Sequence, residues 1–221
     1  MAIEKLIPLL MDGVRDTLYM TVVSTLFAYL LGMPLAILLV LTSPKGLRPQ
    51  PLIYRVLDVV VNMLRSIPFL ILMILVIPIT RFIAGRAYGS TATIVPLVIA
   101  AAPYVARMIE SSLLEVDPGV VEMAQAMGAS IPEIIFKVLL PEAKTSLIVG
   151  ATISSGTILG YSAMSGAIGG GGLGQIAISY GYNRYQTDVL IVTVILLIVL
   201  MQIFQIIGMA ISRKTDKRIR E

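Results

Sequence analysis

Cysteine, histidine and tryptophan are absent from the 221 residues. Without cysteine there is no disulfide framework and no thiolate nucleophile or metal ligand. Without histidine, the commonest general base and the imidazole metal ligand are missing as well. Charge is scarce: Asp, Glu, Lys and Arg make up 14% of the chain, against about 25% in an ordinary soluble domain. The chain is instead 57% hydrophobic, with a mean hydropathy of +0.92. So short a chain has too little interior to hide that surface, and lipid is the expected solvent. The net charge of +4 is modest, and the aromatic residues are not interleaved with basic ones. Nucleic acid is therefore not an expected partner, and the basic residues read as signals of membrane orientation.

A membrane-spanning helix needs about 20 mostly apolar residues. Five runs qualify, at 18–41, about 56–79, 91–109, 147–168 and 189–211, so an all-α integral membrane protein forming a single transmembrane domain is expected. The first run is long, follows Asp12 and Asp16, and lacks a small-residue cleavage site; it is expected to remain a span rather than a cleaved leader. With the N-terminus outside, the inner segments hold Lys45, Arg48, Arg55, Arg65, Arg107, Lys137, Lys144 and the basic tail "RKTDKRIRE" (213–221), leaving Lys5, Arg15, Arg81, Arg86 and Arg184 outside. The positive-inside rule then sets the N-terminus out and the C-terminus in.

This topology makes "EMAQAMGASIPEIIFKVLLP" (122–141) cytoplasmic. Asp117 before Pro118 reads as a helix N-cap followed by proline at the first helical position. Gly128 can take the left-handed conformation that ends a helix. Ser130, with Glu133 three residues on, forms a capping box for a second helix. Val120, Ala124, Met127, Ile131, Ile135 and Leu139 recur near a 3.6 period, and Glu122, Gln125, Glu133 and Lys137 mark the other side. Two short helices joined at a bend, with one apolar face, are expected. An amphipathic loop on the headgroups is the plain alternative. However, Glu110, Glu115, Asp117, Glu122, Glu133 and Glu142 outnumber the basic residues around them, which suits a protein partner better than anionic lipid.

The spacing of Glu122, Ala124, Gly128, Leu140 and Pro141 resembles the EAA loop of permease subunits in bacterial ABC importers, with Met123 in place of the first alanine and Val138 in place of an isoleucine. "RSIPFLI" (65–71) and "GYSAMSGAIGGGGLGQIAISYGY" (160–182) narrow the resemblance to the permeases of methionine importers, over residues 18–211. It implies a type I importer permease fold in the cytoplasmic (inner) membrane, with the five residues above docking on a separate ATPase. It also implies a homodimer, two ATPase subunits that carry the ATP and magnesium, no cofactor on this chain, and an extracytoplasmic methionine-binding lipoprotein. The cargo would be L- and D-methionine, or another small amino acid of the same class.

No phosphate-cradling G-x-x-x-x-G-K-[ST] motif occurs; "GGGGLGQ" (169–175) lacks the lysine and is expected to be a flexible outer turn. In the fourth span, Ser154, Thr157, Tyr161 and Ser165, with Met164 beside them, form a stripe read as the translocation route. The alternative is that the hydroxyls bond back to the preceding turn. Gly156 and Gly160 are a small-xxx-small pair suited to close helix approach. Asp58 and Arg65 share a face, as a pair or as markers of the inner helix end. An ion-gradient-driven carrier is the main rival, but the middles of the spans read as uncharged. A subunit that only anchors a partner is disfavoured by Pro34, Pro68, Pro96 and Pro103 within the spans.

Overall fold

The computed structural model describes residues 3–215, so the tail basic residues Lys217, Arg218 and Arg220 lie outside the described residues. The described residues are mostly helical, joined by short turns, and contain no strands. In order they form α1 (Ile3–Thr42), α2 (Pro51–Ser66), α3 (Phe69–Leu75), α4 (Ile77–Ala84), α5 (Ser90–Leu114), α6 (Pro118–Ala126), α7 (Ile131–Glu133), α8 (Leu140–Glu142), α9 (Lys144–Ser165), α10 (Gly172–Ile176) and α11 (Thr187–Thr215). Wider π-type turns join α7 to α8 (Ile134–Leu139) and follow α10 (Ala177–Tyr182). Four stretches are long and apolar enough to cross a bilayer, in α1, in α5, from α9 to Tyr182, and in α11.

The fifth expected span, 56–79, is not straight. α2 and α3 meet at 104°, because Ile67 precedes Pro68 and is pushed out of the helical region, to φ −80° and ψ 124°. Ser66 Oγ donates back to the Asn62 carbonyl at 2.8 Å. Beyond the break, Ile71 and Leu72 both donate to the Pro68 carbonyl at 3.0 Å, and Val76 and Thr80 carry the ladder on into α4.

The centre of the fold is the seam between α1 and α5. Ala28, Gly32 and Ala36 follow one another at four-residue steps on α1, and Ala101, Val105 and Ala106 face them from α5; the alanines and Val105 are all fully buried. A side-chain carbon on Gly32 would lie 3.0 Å from the Ala102 carbonyl oxygen. Between helices in lipid, where hydrophobicity offers no preference, such close backbone approach supplies the attraction through van der Waals contact. α9 packs on both helices, and α11 packs on α9 while turning Ile191, Ile195 and Ile198 outward, as a lipid-facing helix does.

The glycine-rich stretch is a packed crossing rather than the expected flexible turn. Gly172, Leu173, Gly174 and Ile176 are buried. A side-chain carbon on Gly174 would stand 2.0 Å from the Ala163 carbonyl oxygen. The segment is also tied to the outer ends of α1 and α5: Leu173 N–H donates to Thr17 Oγ1 at 2.9 Å, Gly89 N–H to the Gly169 carbonyl at 2.9 Å, and Thr93 Oγ1 to the Gly170 carbonyl at 3.1 Å. Glycine is needed because backbones meet there. Gly174→Ala is expected to destabilise the protein by about 1–3 kcal/mol through overpacking, read as a fall of several degrees in the melting temperature of detergent-solubilised protein. Gly150→Ala, whose new carbon meets Met108 at an ordinary 3.7 Å, should leave it unchanged.

Candidate functional site

Two sets of residues singled out in the sequence occupy different places. The inner loop is built as the sequence suggests. The Asp117 carboxylate accepts from Gly119 N–H at 2.7 Å and caps α6. Gly128, at φ +81°, reverses the chain, with open space where a side chain would begin. Ser130 donates to Glu133 Oε2 through its N–H at 3.1 Å and its hydroxyl at 2.7 Å, and Lys137 Nζ donates to Glu133 Oε1 at 2.9 Å. Lys137 and the Ser130 donors hold the Glu133 carboxyl down at about 2, well below its ordinary value.

One face of this loop is embedded in the membrane domain. Ala124, Ile134, Ile135 and Leu139 are buried in the same apolar cluster as Val40, Ile109 and Leu113 at the inner ends of α1 and α5, with Leu140 partly buried against it. Alanine fits at 124 because the loop lies directly on that cluster, leaving it 4% exposed. Glu122 and Pro141 face outward. Met127 does not join the buried face. It is 74% exposed, because α6 ends one residue before it and the chain turns at Gly128. Met123 at 57% and Phe136 at 66% are likewise exposed apolar side chains of the loop. A cavity of about 400 Å³ where α5 meets α6 and α9 is lined by Ser112, Glu115, Asp117, Glu142, Thr145 and Ser146 among others, and so carries acidic side chains.

The fourth-span stripe divides between two environments. Ser154 and Ser165 are fully buried within the protomer, and Ser165 Oγ donates to the Ser162 carbonyl at 2.6 Å. Thr157 Oγ1 donates back to the Ile153 carbonyl at 3.1 Å. The Tyr161 ring stacks on Phe69 with centroids 4.7 Å apart and planes within 4°. Met164 is half exposed, on the same side of α9 as Ile153 and Gly160. Of the glycine pair, Gly156 admits Met201 of α11, whose Sδ would stand 2.9 Å from an added carbon, whereas Gly160 has nothing within 4 Å.

Asp58 pairs with Arg107 rather than Arg65, and Arg107 also donates to Glu110 at 2.6 Å. This cluster fastens α2 to α5. Spacing along one helix cannot find a partner 49 positions away; the only signal available was that Glu110, 6% exposed, and Arg107 lay on one helix face.

A sequence model of the family described as the inner membrane component of binding-protein-dependent transport systems matches residues 28–221. The chain belongs to this family. The probable D-methionine transport system permease protein of Vibrio cholerae is 50% identical over 210 residues, 95% of this chain and 93% of that protein. The D-methionine transport system permease protein of Escherichia coli K12 is 47% identical over 163 residues, 74% of this chain and 75% of that protein. Among solved structures, a chain of the MetNI methionine ABC transporter in an inward-facing conformation superposes with a TM-score of 0.95, at 45% identity, covering 97% of this chain and 99% of that one. An amino acid ABC transporter with histidines, at 22% identity and TM-score 0.79, shares the fold. The all-α, type I importer permease architecture and the inner-membrane setting follow from this family membership.

The capping box yields a pH expectation. Because the folded carboxyl of Glu133 lies below its unfolded value of 4.5, its contribution is complete above that value and fades as pH falls from 4.5 towards 2. A carbon-13 titration of the Glu133 carboxyl should show it ionised throughout pH 5–8, and Lys137→Ala should move its midpoint upward.

Proposed function

We propose that this chain is the permease subunit of an ATP-driven importer of methionine, L- and D-, across the inner membrane, coupled to a separate ATPase through the 117–141 loop. The observation that carries the reading is the two-faced loop: its inner side is part of the membrane core, and its outer side exposes Met123, Met127 and Phe136 together with Glu122. Relatives matched over more than nine-tenths of this chain are D-methionine permeases by name, which supports the choice of cargo.

In this reading Glu122, Ala124, Gly128, Leu140 and Pro141 shape the docking knuckle. ATP and magnesium belong to the ATPase, and this chain supplies binding and motion rather than catalysis or a cofactor. One chain offers one knuckle, whereas nucleotide sandwiched between two ATPases requires two. The assembly is therefore a homodimer of this chain with two ATPases, served by an extracytoplasmic binding protein. A two-fold dimer is also the commonest closed assembly. The exposed side of α9, with Thr157, Gly160 and Met164, is its natural seam and borders the route, while Ser154, Tyr161 and Ser165 back that side from within.

Uptake of labelled methionine into cells with and without the gene, with unlabelled amino acids as competitors, tests the cargo. Methionine uptake should depend on the gene and yield to L- and D-methionine. Gene-dependent uptake suppressed instead by another small amino acid would reassign the substrate. Coupling is tested by Gly128→Val. The left-handed backbone costs an ordinary residue roughly 1–2 kcal/mol, and a β-branched one more, so α6 should reorient. ATPase co-purification and methionine uptake should both fall about tenfold while the spans still insert; normal values for both would detach the loop from coupling.

A further inference from the structure

The elbow between α2 and α3 does more than shorten a span. It brings the end of α2 against α5, and a small cavity of about 110 Å³ opens there. Its lining comes from four helices: Arg65 of α2 with Ile67 at the elbow, Phe69 of α3, Ala100 and Tyr104 of α5, and Tyr161 of α9. Ala100 and Tyr104 bracket the midpoint of α5 (Ser90–Leu114). An arginine therefore stands level with the middle of a membrane-spanning helix, where the sequence read as uncharged.

Such a charge is expensive in lipid; Arg65 is exposed on the protomer and lines the cavity, so water rather than hydrocarbon is expected around it. Arg65 has no ion-pair partner among the described residues, whereas Asp58 and Glu110 both pair with Arg107. Two tyrosines share its cavity. Close by, the buried hydroxyl oxygens of Tyr29 and Ser154 also lack hydrogen-bond partners meeting ordinary geometry, and Tyr29 lies near both Ser154 and Tyr104. The stacked rings of Phe69 and Tyr161 also line the cavity and offer an apolar wall.

We propose that this cavity is a substrate site within the membrane, in which Arg65 receives the α-carboxylate of the transported amino acid and the Phe69–Tyr161 pair receives its thioether side chain. The inference rests on the methionine-import reading and names the site that reading lacks. A guanidinium is the natural partner for a carboxylate, since its fork of donors matches the two oxygens. The tyrosine hydroxyls can donate to the same group. Sulfur packs favourably at the edge of aromatic rings. The volume has room for several water-sized groups, so an incoming carboxylate displaces water rather than protein. The site is also placed where binding and release can be coupled to movement, because two of its walls belong to the bent element and two to the packed α5 and α9.

The test uses the complete complex of permease, ATPase and binding protein in liposomes, with labelled methionine as the probe. The readout is methionine moved per ATP hydrolysed. Arg65→Gln should lower that ratio about tenfold, the scale of losing one charge-assisted contact, and Arg65→Lys should recover most of it by keeping the charge. Phe69→Ala should lower the preference for methionine over alanine, which has no thioether to place. An unchanged ratio in Arg65→Gln overturns the proposal. So does a Lys variant as impaired as the Gln variant, or a failure of both to assemble with the ATPase, since each makes the residue structural. A wild-type complex that moves no methionine brings down the import reading instead.

Discussion

Hydrocarbon offers no hydrogen bonds, so any interruption of a helix at membrane depth must be matched by groups the protein itself supplies. The fold can be understood from the two places where this happens. At the elbow, proline removes one donor outright, and the Pro68 carbonyl, the Ser66 hydroxyl and the start of α3 settle the rest. At the glycine-rich crossing the chain leaves helical geometry from Gly169 to Gly171 before α10 begins. Its amides and carbonyls are answered by Thr17 of α1, by Gly89 and Thr93 at the start of α5, and by Gln175 of the crossing itself. An element rich in glycine, with Leu173 and Ile176 packed beside it, thus becomes the point at which the outer ends of α1, α5 and α9 are joined.

The inner end is held by a different force. There the contacts are apolar, and the loop that leaves the membrane domain at Leu114 and returns at Lys144 shares one cluster with the helices it connects. Hydrogen bonds organise the loop internally, through the Asp117 cap and the Ser130–Glu133–Lys137 set, while Ala124, Ile134 and Leu139 attach it. The polar side of the loop can therefore be exposed without loosening it, since none of its attachment depends on those groups.

Most of this arrangement was legible in the sequence wherever the determinant was local. The N-cap, the capping box and the turning glycine each depend on residues within four positions of one another, and each stands where spacing puts it. Hydropathy located the apolar runs because length and composition decide whether a helix can cross a bilayer. It could not show the elbow, because a window average carries no angle, although Pro68 marked the place. Asp58 with Arg107, and the fit of Gly174 against Ala163, depend on which helices become neighbours, and that is set by the whole α1–α5–α9 packing. Met127 fell on the expected apolar face of the first short helix but lies one residue past its observed end. The α9 stripe was visible as a pattern, yet its members divide because a stripe of hydroxyls is wider than the boundary between a buried and an open face.

The packed crossing at the outer end has a geometric consequence. α5 is fastened there at Gly89 and Thr93 and carries the cytoplasmic loop at its opposite end. Its 25 residues make an arm of about 37 Å at the usual helical rise. Pivoting on the glycine crossing, each degree of tilt carries the loop sideways by about 0.6 Å on that arm. Because Tyr104 lies a little past halfway along the arm, the elbow cavity beside it is swept through more than half of that distance. A displacement of the loop by one bond length is therefore also a displacement of the mid-membrane cavity wall by about half as much, through a helix that need not bend at all.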